Sequence, residues 1–153
     1  HRAENVDNSL RLGEILTGLK KISERYGLPV VFPMHPRTQK MVHEFSLSTE
    51  GIQVIDPVGY LEFLILESKA ALLLTDSGGV QEESCILSVP CVTLRENTER
   101  PETIDTGSNV LAGTNPEKIL AATDRMINIP RKWNNPFGKG DAARRIIDQC
   151  KKF

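Results

Sequence analysis

The chain has 153 residues, of which 39% are hydrophobic, and this length suits one well-cored domain better than two. Its 19 basic and 20 acidic residues leave a net charge of −1, which excludes a global electrostatic attraction to nucleic acid or to a membrane surface. The longest apolar runs, 61–66 and 70–74, are far too short to span a bilayer. Three cysteines without CxxC spacing argue against a disulfide framework or a zinc site, and favour a reducing, cytoplasmic compartment with three buried thiols.

Hydrophobic periodicity predicts strands and helices that alternate along the chain. Apolar residues recur at helical spacing from Leu12 to Tyr26, after a potential cap at Asp7 or Asn8. Predicted strands occupy 29–34, 52–55, 72–74, 91–94 and 110–111, and further predicted helices occupy 38–46, 60–69, 80–87, a segment from 115 and 141–151. Strands that alternate with helices of this length are typical of βαβ units, so the predicted class is α/β with a doubly wound parallel sheet.

Polar clusters follow several of the predicted strands. They lie at 1–5, 35–38, 76–79 and 98–102. In an open parallel sheet, ligands bind beyond the carboxyl ends of the strands, so we expect these clusters to converge on one edge.

The stretch "TDSGGVQEES" (75–84) joins a predicted strand to a predicted helix through a tight turn. Ser77, Gly78 and Gly79 let the backbone approach a ligand, and the unpaired amides and dipole of the helix start favour an anion such as a diphosphate. The alternative is an ordinary turn in which Ser77 caps the helix.

Charged residues around this turn have two interpretations each. Glu82 and Glu83 either complement the helix dipole or accept hydrogen bonds from a ribose diol. Arg2, Arg95 and Arg100 are candidate phosphate partners, although an arginine is more often a solvated surface residue.

Two histidines, His1 and His35, stand at predicted strand exits, where they suit proton transfer or phosphate binding. His43 lies on a helix and suggests no function. Phe63 could stack on a base, but its spacing with Leu66 favours a place in the core.

Six motifs in order, "HRAEN", "HPRT", "PVGYLEF", "LTDSGGVQEES", "TERPE" and "NPFGKG", resemble the C-terminal half of the non-hydrolysing UDP-N-acetylglucosamine 2-epimerases, particularly archaeal ones. The resemblance implies a Rossmann-like domain that spans 1–153 and forms the C-terminal half of a two-domain fold of the glycosyltransferase-B type. The chain would then begin inside a larger protein. These enzymes interconvert UDP-GlcNAc and UDP-ManNAc by elimination and re-addition of UDP, without a nicotinamide or another cofactor, and are typically homodimers.

The resemblance also implies roles for single residues. Ser77, Gly78 and Gly79 would hold the diphosphate, Glu83 the ribose hydroxyls, and Arg100 would contact the nucleotide-sugar. Phe63 and Val58 would lie beside the uracil, which reverses the preference for Phe63 as a core residue. The implied active-site histidine is His1, and Arg2 and His35 match a second, regulatory UDP-GlcNAc site. No residue is predicted to bind a metal.

Two departures leave alternatives open. Many bacterial members have Asn where this chain has Arg37, which affects the regulatory site. The "HPRT" motif also occurs in 2-epimerases of other UDP-activated acetamido sugars, although those tend to have Thr at the position of Gly79. The remaining alternatives are a glycosyltransferase half of the same architecture and a non-enzymatic UDP-sugar sensor.

Overall fold

The structure is a computed structural model and describes residues 2–152. The helices are α1 (Ala3–Val6), α2 (Ser9–Tyr26), α3 (Pro36–Glu44), α4 (Tyr60–Lys69), α5 (Gly78–Ile86), α6 (Pro101–Asp105), α7 (Pro116–Met126) and α8 (Ala142–Cys150). The strands are β1 (Val31–Pro33), β2 (Gln53–Ile55), β3 (Leu73–Thr75), β4 (Cys91–Thr93) and β5 (Asn109–Leu111).

All strand pairs in the described chain are parallel, and they form two hydrogen-bonded groups. The first group has the order β1-β2, and the second has the order β3-β4-β5. In the second group Thr75 lies opposite Thr93, so β3 and β4 end at the same level. The loops that follow these two strands therefore emerge side by side, as the sequence predicted for a parallel sheet.

The core lies between the strands and a pair of helices, α2 and α7. Every residue of β4 is buried, and Val92 packs with Leu19 and Ile119 from the two helices. The helices approach closely at Gly18, where an added Cβ would lie 3.0 Å from Cδ1 of Ile119. A larger side chain at position 18 would push α7 away from α2.

Local capping explains where the long helices begin and end. The Asn8 side chain accepts a hydrogen bond from the Arg11 amide, so Asn8 is the cap of α2 rather than Asp7. Gly27 ends this helix with φ of +61°, a conformation that glycine adopts without strain. Asn115 caps the start of α7 as Asn8 caps the start of α2, and it stands immediately before Pro116.

The predicted α/β class and all five predicted strands are confirmed, but three details differ. The short helices α1 and α6 were not predicted, because four or five residues carry too little periodicity to register. Cys85 and Cys91 are buried, whereas Cys150 is exposed, so the expectation of three buried thiols was wrong. Burial raises the pKa of Cys91 to about 12. None of the helices between residues 2 and 152 is long and apolar enough to cross a membrane.

Candidate functional site

The turn between β3 and α5 is the centre of the candidate site. Ser77 is the residue before the helix, with φ of −92° and ψ of 128°, and its amide donates to Oγ1 of Thr75 at 3.0 Å. The Ser77 hydroxyl makes no capping hydrogen bond. The first turn of α5 therefore has unpaired backbone amides and a side-chain hydroxyl that is not used to cap them.

Two glycines form the start of α5. Neither Gly78 nor Gly79 has a positive φ, so the backbone does not require glycine at either position. An added Cβ at Gly78 would lie 3.8 Å from Glu99 Oε2 and 3.9 Å from Arg100 Cγ, and one at Gly79 would lie 3.8 Å from Ser77 Oγ. These are ordinary contact distances, so the protein itself would tolerate alanine. Gly79 is exposed, so its lack of a side chain leaves that position open to a ligand, whereas Gly78 is buried beside Glu99 and Arg100.

Arg100 lies beside this helix start and is held from three directions. Its Nε forms an ion pair with Glu82 of α5, and its Nη1 donates to the Glu99 carbonyl at 3.0 Å. Its own amide donates to Oγ1 of Thr98 at 3.0 Å. Neither sequence interpretation of Glu82, as a complement to the helix dipole or as a ribose contact, included this pairing with Arg100.

A buried polar network fixes the Arg100 loop against α5. The Thr98 hydroxyl donates to Oε1 of Gln81 at 2.5 Å, and Asn109 donates from Nδ2 to the same oxygen at 3.2 Å. Asn109 also donates to Oγ1 of Thr103 and accepts from Oγ1 of Thr93. Sequence reasoning missed this network, because threonine and amide side chains carry no pattern that identifies burial.

Arg95 is buried and forms ion pairs with two carboxylates. Its Nε lies 2.7 Å from Oε1 of Glu4, and its Nη1 lies 2.8 Å from Oε2 of Glu99. The hydrogen bonds from Arg95 lower the pKa of Glu99 to about 2. Because both sides of the guanidinium are occupied, Arg95 is part of the framework of the site rather than an open phosphate contact.

Arg2 is also brought to the β3–α5 turn. Its amide donates to Oδ2 of Asp76 at 3.1 Å, and its Nη2 lies 3.7 Å from Oε2 of Glu99. Asn5 of α1 donates to the same Asp76 oxygen and to the Leu94 carbonyl. These contacts lay α1 across the ends of β3 and β4. The candidate catalytic residue His1 lies outside the described residues.

A second polar cluster forms at the end of β1. His35 precedes α3, and its Nδ1 accepts from the Arg37 amide at 3.1 Å. Arg37 donates to Asp7 through Nε at 3.1 Å and Nη2 at 2.5 Å. Because Asp7 ends α1, that short helix connects this cluster to the β3–α5 turn.

The other flank of α5 faces α4 and carries the predicted base and ribose contacts. Val58 and Phe63 are half-buried, one before α4 and one within its first turn. Glu83 of α5 is half-buried and faces Tyr60, whose pKa is raised by the charge of Glu83 and by their hydrogen bond. The described contacts thus connect Glu83 to the start of α4, while Val58 and Phe63 lie in that same segment.

Glu67 is a feature of this flank that the sequence did not reveal. It is 0% exposed, and neither of its carboxylate oxygens accepts a hydrogen bond from a nitrogen or hydroxyl group of the described residues. Burial and the neighbouring Glu83 raise its pKa to about 7. No sequence signal identified it, because a glutamate in an apolar helix normally faces solvent.

Concavity alone does not identify the site. A groove of about 530 Å³ lies between α2 and residues 47–50, where no cluster of candidate residues occurs. The residues described contain no group of three or more His, Cys, Asp or Glu side chains that could hold a metal ion. The candidate site is therefore defined by its open helix start and by the charged residues on either side of it.

Comparisons with known proteins agree with this arrangement. The family model described as UDP-N-acetylglucosamine 2-epimerase matches residues 1–151. The UDP-N-acetylglucosamine 2-epimerase of Methanocaldococcus jannaschii is 55% identical over 96% of this chain and 42% of its own length. A UDP-2,3-diacetamido-2,3-dideoxy-D-glucuronate 2-epimerase from Pseudomonas aeruginosa is 41% identical over 100% of this chain and 43% of its own length.

A solved structure gives the same result for the fold. The crystal structure of the M. jannaschii UDP-GlcNAc 2-epimerase in complex with UDP-GlcNAc and UDP matches with a TM-score of 0.92 and 53% identity, over 100% of this chain and 44% of that one. The chain thus spans less than half the length of the relatives that it matches, and its fold is one half of a glycosyltransferase-B-type architecture. By sequence and by fold, the chain belongs to the UDP-N-acetylglucosamine 2-epimerase family.

Proposed function

We propose that this chain is the UDP-binding half of an enzyme that interconverts UDP-GlcNAc and UDP-ManNAc. One observation carries the proposal: the start of α5 has open backbone amides, with Arg100 positioned beside it. Helix amides and a guanidinium are the groups that bind a diphosphate in proteins. The related M. jannaschii enzyme, whose structure contains UDP-GlcNAc and UDP, supports the same ligand.

Within this proposal, each side of α5 contacts a different part of the nucleotide. Ser77, Gly78 and Gly79 bind the diphosphate, and Arg100 contacts it from the side. On the other flank, Glu83 accepts hydrogen bonds from the ribose hydroxyls. The short distance along one helix turn from Gly79 to Glu83, about 6 Å of rise, suits a diphosphate and its attached ribose.

The uracil base lies beyond the ribose contact, and the reacting sugar lies beyond the diphosphate contact. Phe63 stacks on the uracil, and Val58 contacts it through its main chain, since valine has no polar side-chain atom. His1 contacts the leaving group in the active site. Arg2 and His35 belong to a second, regulatory UDP-GlcNAc site, which the ion pair between Arg37 and Asp7 would border.

The proposed reaction is an elimination followed by an addition. Loss of the proton from C2 and of UDP from C1 leaves a 2-acetamidoglucal, and re-addition of UDP with protonation on the opposite face of C2 gives the epimer. Negative charge grows on the diphosphate as the C1–O bond breaks. Fixed amides and Arg100 stabilise that charge, and they stabilise it equally in the return step.

We propose that the full protein has a second domain and acts as a cytoplasmic homodimer. The chain covers 42% of the M. jannaschii relative, which leaves room for a second domain of similar size. In the described chain β1 pairs only with β2, and β3 pairs only with β4. Each of these strands thus has an edge that a further strand could extend.

Deuterium exchange in the full-length protein tests the proposed activity. Incubation with UDP-GlcNAc in deuterated water should give UDP-ManNAc with deuterium at C2, because the proton removed is replaced from solvent. Exchange without inversion, or no exchange, would refute the epimerase assignment. UDP-2,3-diacetamido-2,3-dideoxy-glucuronate should be tested in parallel, because the P. aeruginosa relative is 41% identical.

The 153-residue chain alone provides a second test. It should fold and bind UDP weakly, because it contains the open helix start and its own core. It should not epimerise UDP-GlcNAc, because abstraction of the C2 proton requires a base within hydrogen-bond reach, which we place in the other domain. Conversion above that of a heat-killed sample would contradict this division between the two domains.

A further inference from the structure

Glu67 is a buried carboxyl group whose role the proposed function leaves unexplained. Its side chain is 0% exposed, and neither of its oxygens accepts a hydrogen bond from a nitrogen or hydroxyl group of residues 2–152. Burial of an ionised carboxylate without a partner is strongly unfavourable, and such a group generally becomes neutral instead. A neutral carboxyl group carries a proton that it can donate.

Glu83 is the neighbouring carboxylate that can accept a hydrogen bond from this proton. The two side chains interact across the packed helices α4 and α5. Two ionised carboxylates cannot hydrogen-bond to each other, because both only accept. Two carboxyl groups that share one proton can form a hydrogen bond with each other, and the pair then carries one negative charge.

Other titratable and charged groups lie around this pair. Tyr60 contributes a hydroxyl that faces Glu83. The thiol of Cys91 on β4 is within electrostatic range of Glu67 but has a pKa near 12, so it is neutral. Two cations lie at the end of α4, and both are exposed: Lys69 in its last turn, and Arg131, which donates to the carbonyls of Ala70 and Ala71.

We propose that Glu67 acts as a protonated positioning residue, which donates a hydrogen bond to Glu83 and holds that carboxylate towards the ribose diol. Glu67 does not touch the ligand itself. Because Glu83 is the ribose-binding residue only within the proposed function, this inference rests on that function.

This arrangement predicts a specific dependence on pH. Below neutral pH Glu67 is protonated and Glu83 is held in place. As the pH rises through about 7, Glu67 ionises, the two carboxylates repel each other, and Glu83 loses its fixed orientation. Recognition of the ribose hydroxyls should therefore weaken at alkaline pH, while contacts to the diphosphate remain.

The test compares UDP with 2′-deoxy-UDP in the full-length protein. The ratio of their dissociation constants isolates the ribose contact, because ionisation of the terminal phosphate, with a pKa of about 6, affects both ligands equally. Titrations at pH 6.0 and 8.5 should give a preference for UDP of roughly tenfold at the lower pH, as expected for one hydrogen bond to a charged group. The preference should fall to about threefold or less at the higher pH, as Glu67 ionises.

Two substitutions separate positioning from simple packing. Glu67→Gln keeps a donor and cannot ionise, so its preference for UDP should stay at roughly tenfold at both pH values. Glu67→Leu keeps volume but has no donor, so its preference should be low at both. Glu24→Gln, on an exposed part of α2, is the control and should behave as the wild type.

Three results would count against the inference or its basis. A wild-type preference that does not change with pH would refute it, and so would a Glu67→Leu variant with the wild-type preference and pH profile. Absence of UDP binding by the wild type would refute the proposed function, and this inference with it. Normal UDP binding with a pH-independent preference would refute this inference alone.

Discussion

The two flanks of α5 use different chemistry to hold adjacent glutamates. On one flank Glu82 pairs with Arg100, within a network that also contains Arg95, Glu99 and Arg2. On the other flank Glu83 faces Tyr60 and the buried carboxyl of Glu67. Neighbouring residues of one type therefore have opposite electrostatic surroundings, which the helix creates by turning them about 100° apart. A charged group can be held by an opposite charge or by a shared proton, and only the second arrangement titrates near neutral pH.

The largest expected difference between the flanks is in stability as a function of pH. The Glu67 pKa is raised to about 7 from a reference of 4.5, so the unfolded chain loses this proton first as the pH rises. Stability should therefore be highest below pH 4.5 and should fall by on the order of 2 to 3 kcal/mol between the two pKa values. Urea unfolding of the 153-residue chain at pH 5 and 7.5 measures this fall, and Glu67→Gln should abolish it. An equal fall in both proteins would assign the pH dependence to other groups.

Removal of Arg100 tests the charged flank. Arg100→Ala should weaken UDP binding by roughly 1.5 to 3 kcal/mol, or about ten- to hundredfold, because a hydrogen bond to a charged partner is lost. Ser77→Ala should act in the same direction. Calorimetry on the full-length protein measures both affinities. Wild-type affinity in both variants would contradict the assignment of the diphosphate to this turn.

Gly79→Ala separates folding from ligand binding. The nearest protein atom to an added Cβ, Oγ of Ser77, is 3.8 Å away, and alanine favours a helix by up to about 1 kcal/mol over glycine. Stability should be unchanged or higher, while UDP affinity should fall roughly tenfold, about 1.4 kcal/mol, because the methyl group blocks backbone approach. Loss of stability would show instead that glycine is needed for packing.

The smallest expected effect is the difference in UDP affinity between the Glu82→Gln and Glu83→Gln variants. Glu83→Gln should weaken UDP binding more than Glu82→Gln, because only Glu83 is proposed to touch the ligand. The pair between Glu82 and Arg100 is about one-third exposed on each side, so its loss should cost only about 0.2 to 1 kcal/mol. Equal losses of affinity in parallel titrations would mean that orientation of Arg100 matters as much as the ribose contact.

Much of this arrangement could be predicted from sequence, because it depends on local signals. Alternating periodicity identified the parallel sheet, and the glycines after a β-strand identified the open helix start of α5. The roles of Glu82 and Arg95 could not be predicted, because ion pairs depend on which loops meet in space. Glu67 was missed for a related reason: one glutamate in an apolar helix normally faces solvent, and only the packing of α4 on α5 reveals its burial.

Residues 127–141, the strap that joins α7 to α8, give this domain a built-in optical reporter. Trp133 is the single tryptophan of the 153-residue chain, and its indole Nε1 donates to the Cys85 carbonyl at 2.9 Å. That carbonyl belongs to the last turn of α5, at the opposite end of the helix from Ser77. The emission wavelength of Trp133 therefore reports whether the strap stays docked on α5, so a fluorescence titration of this chain can follow that helix without an added label.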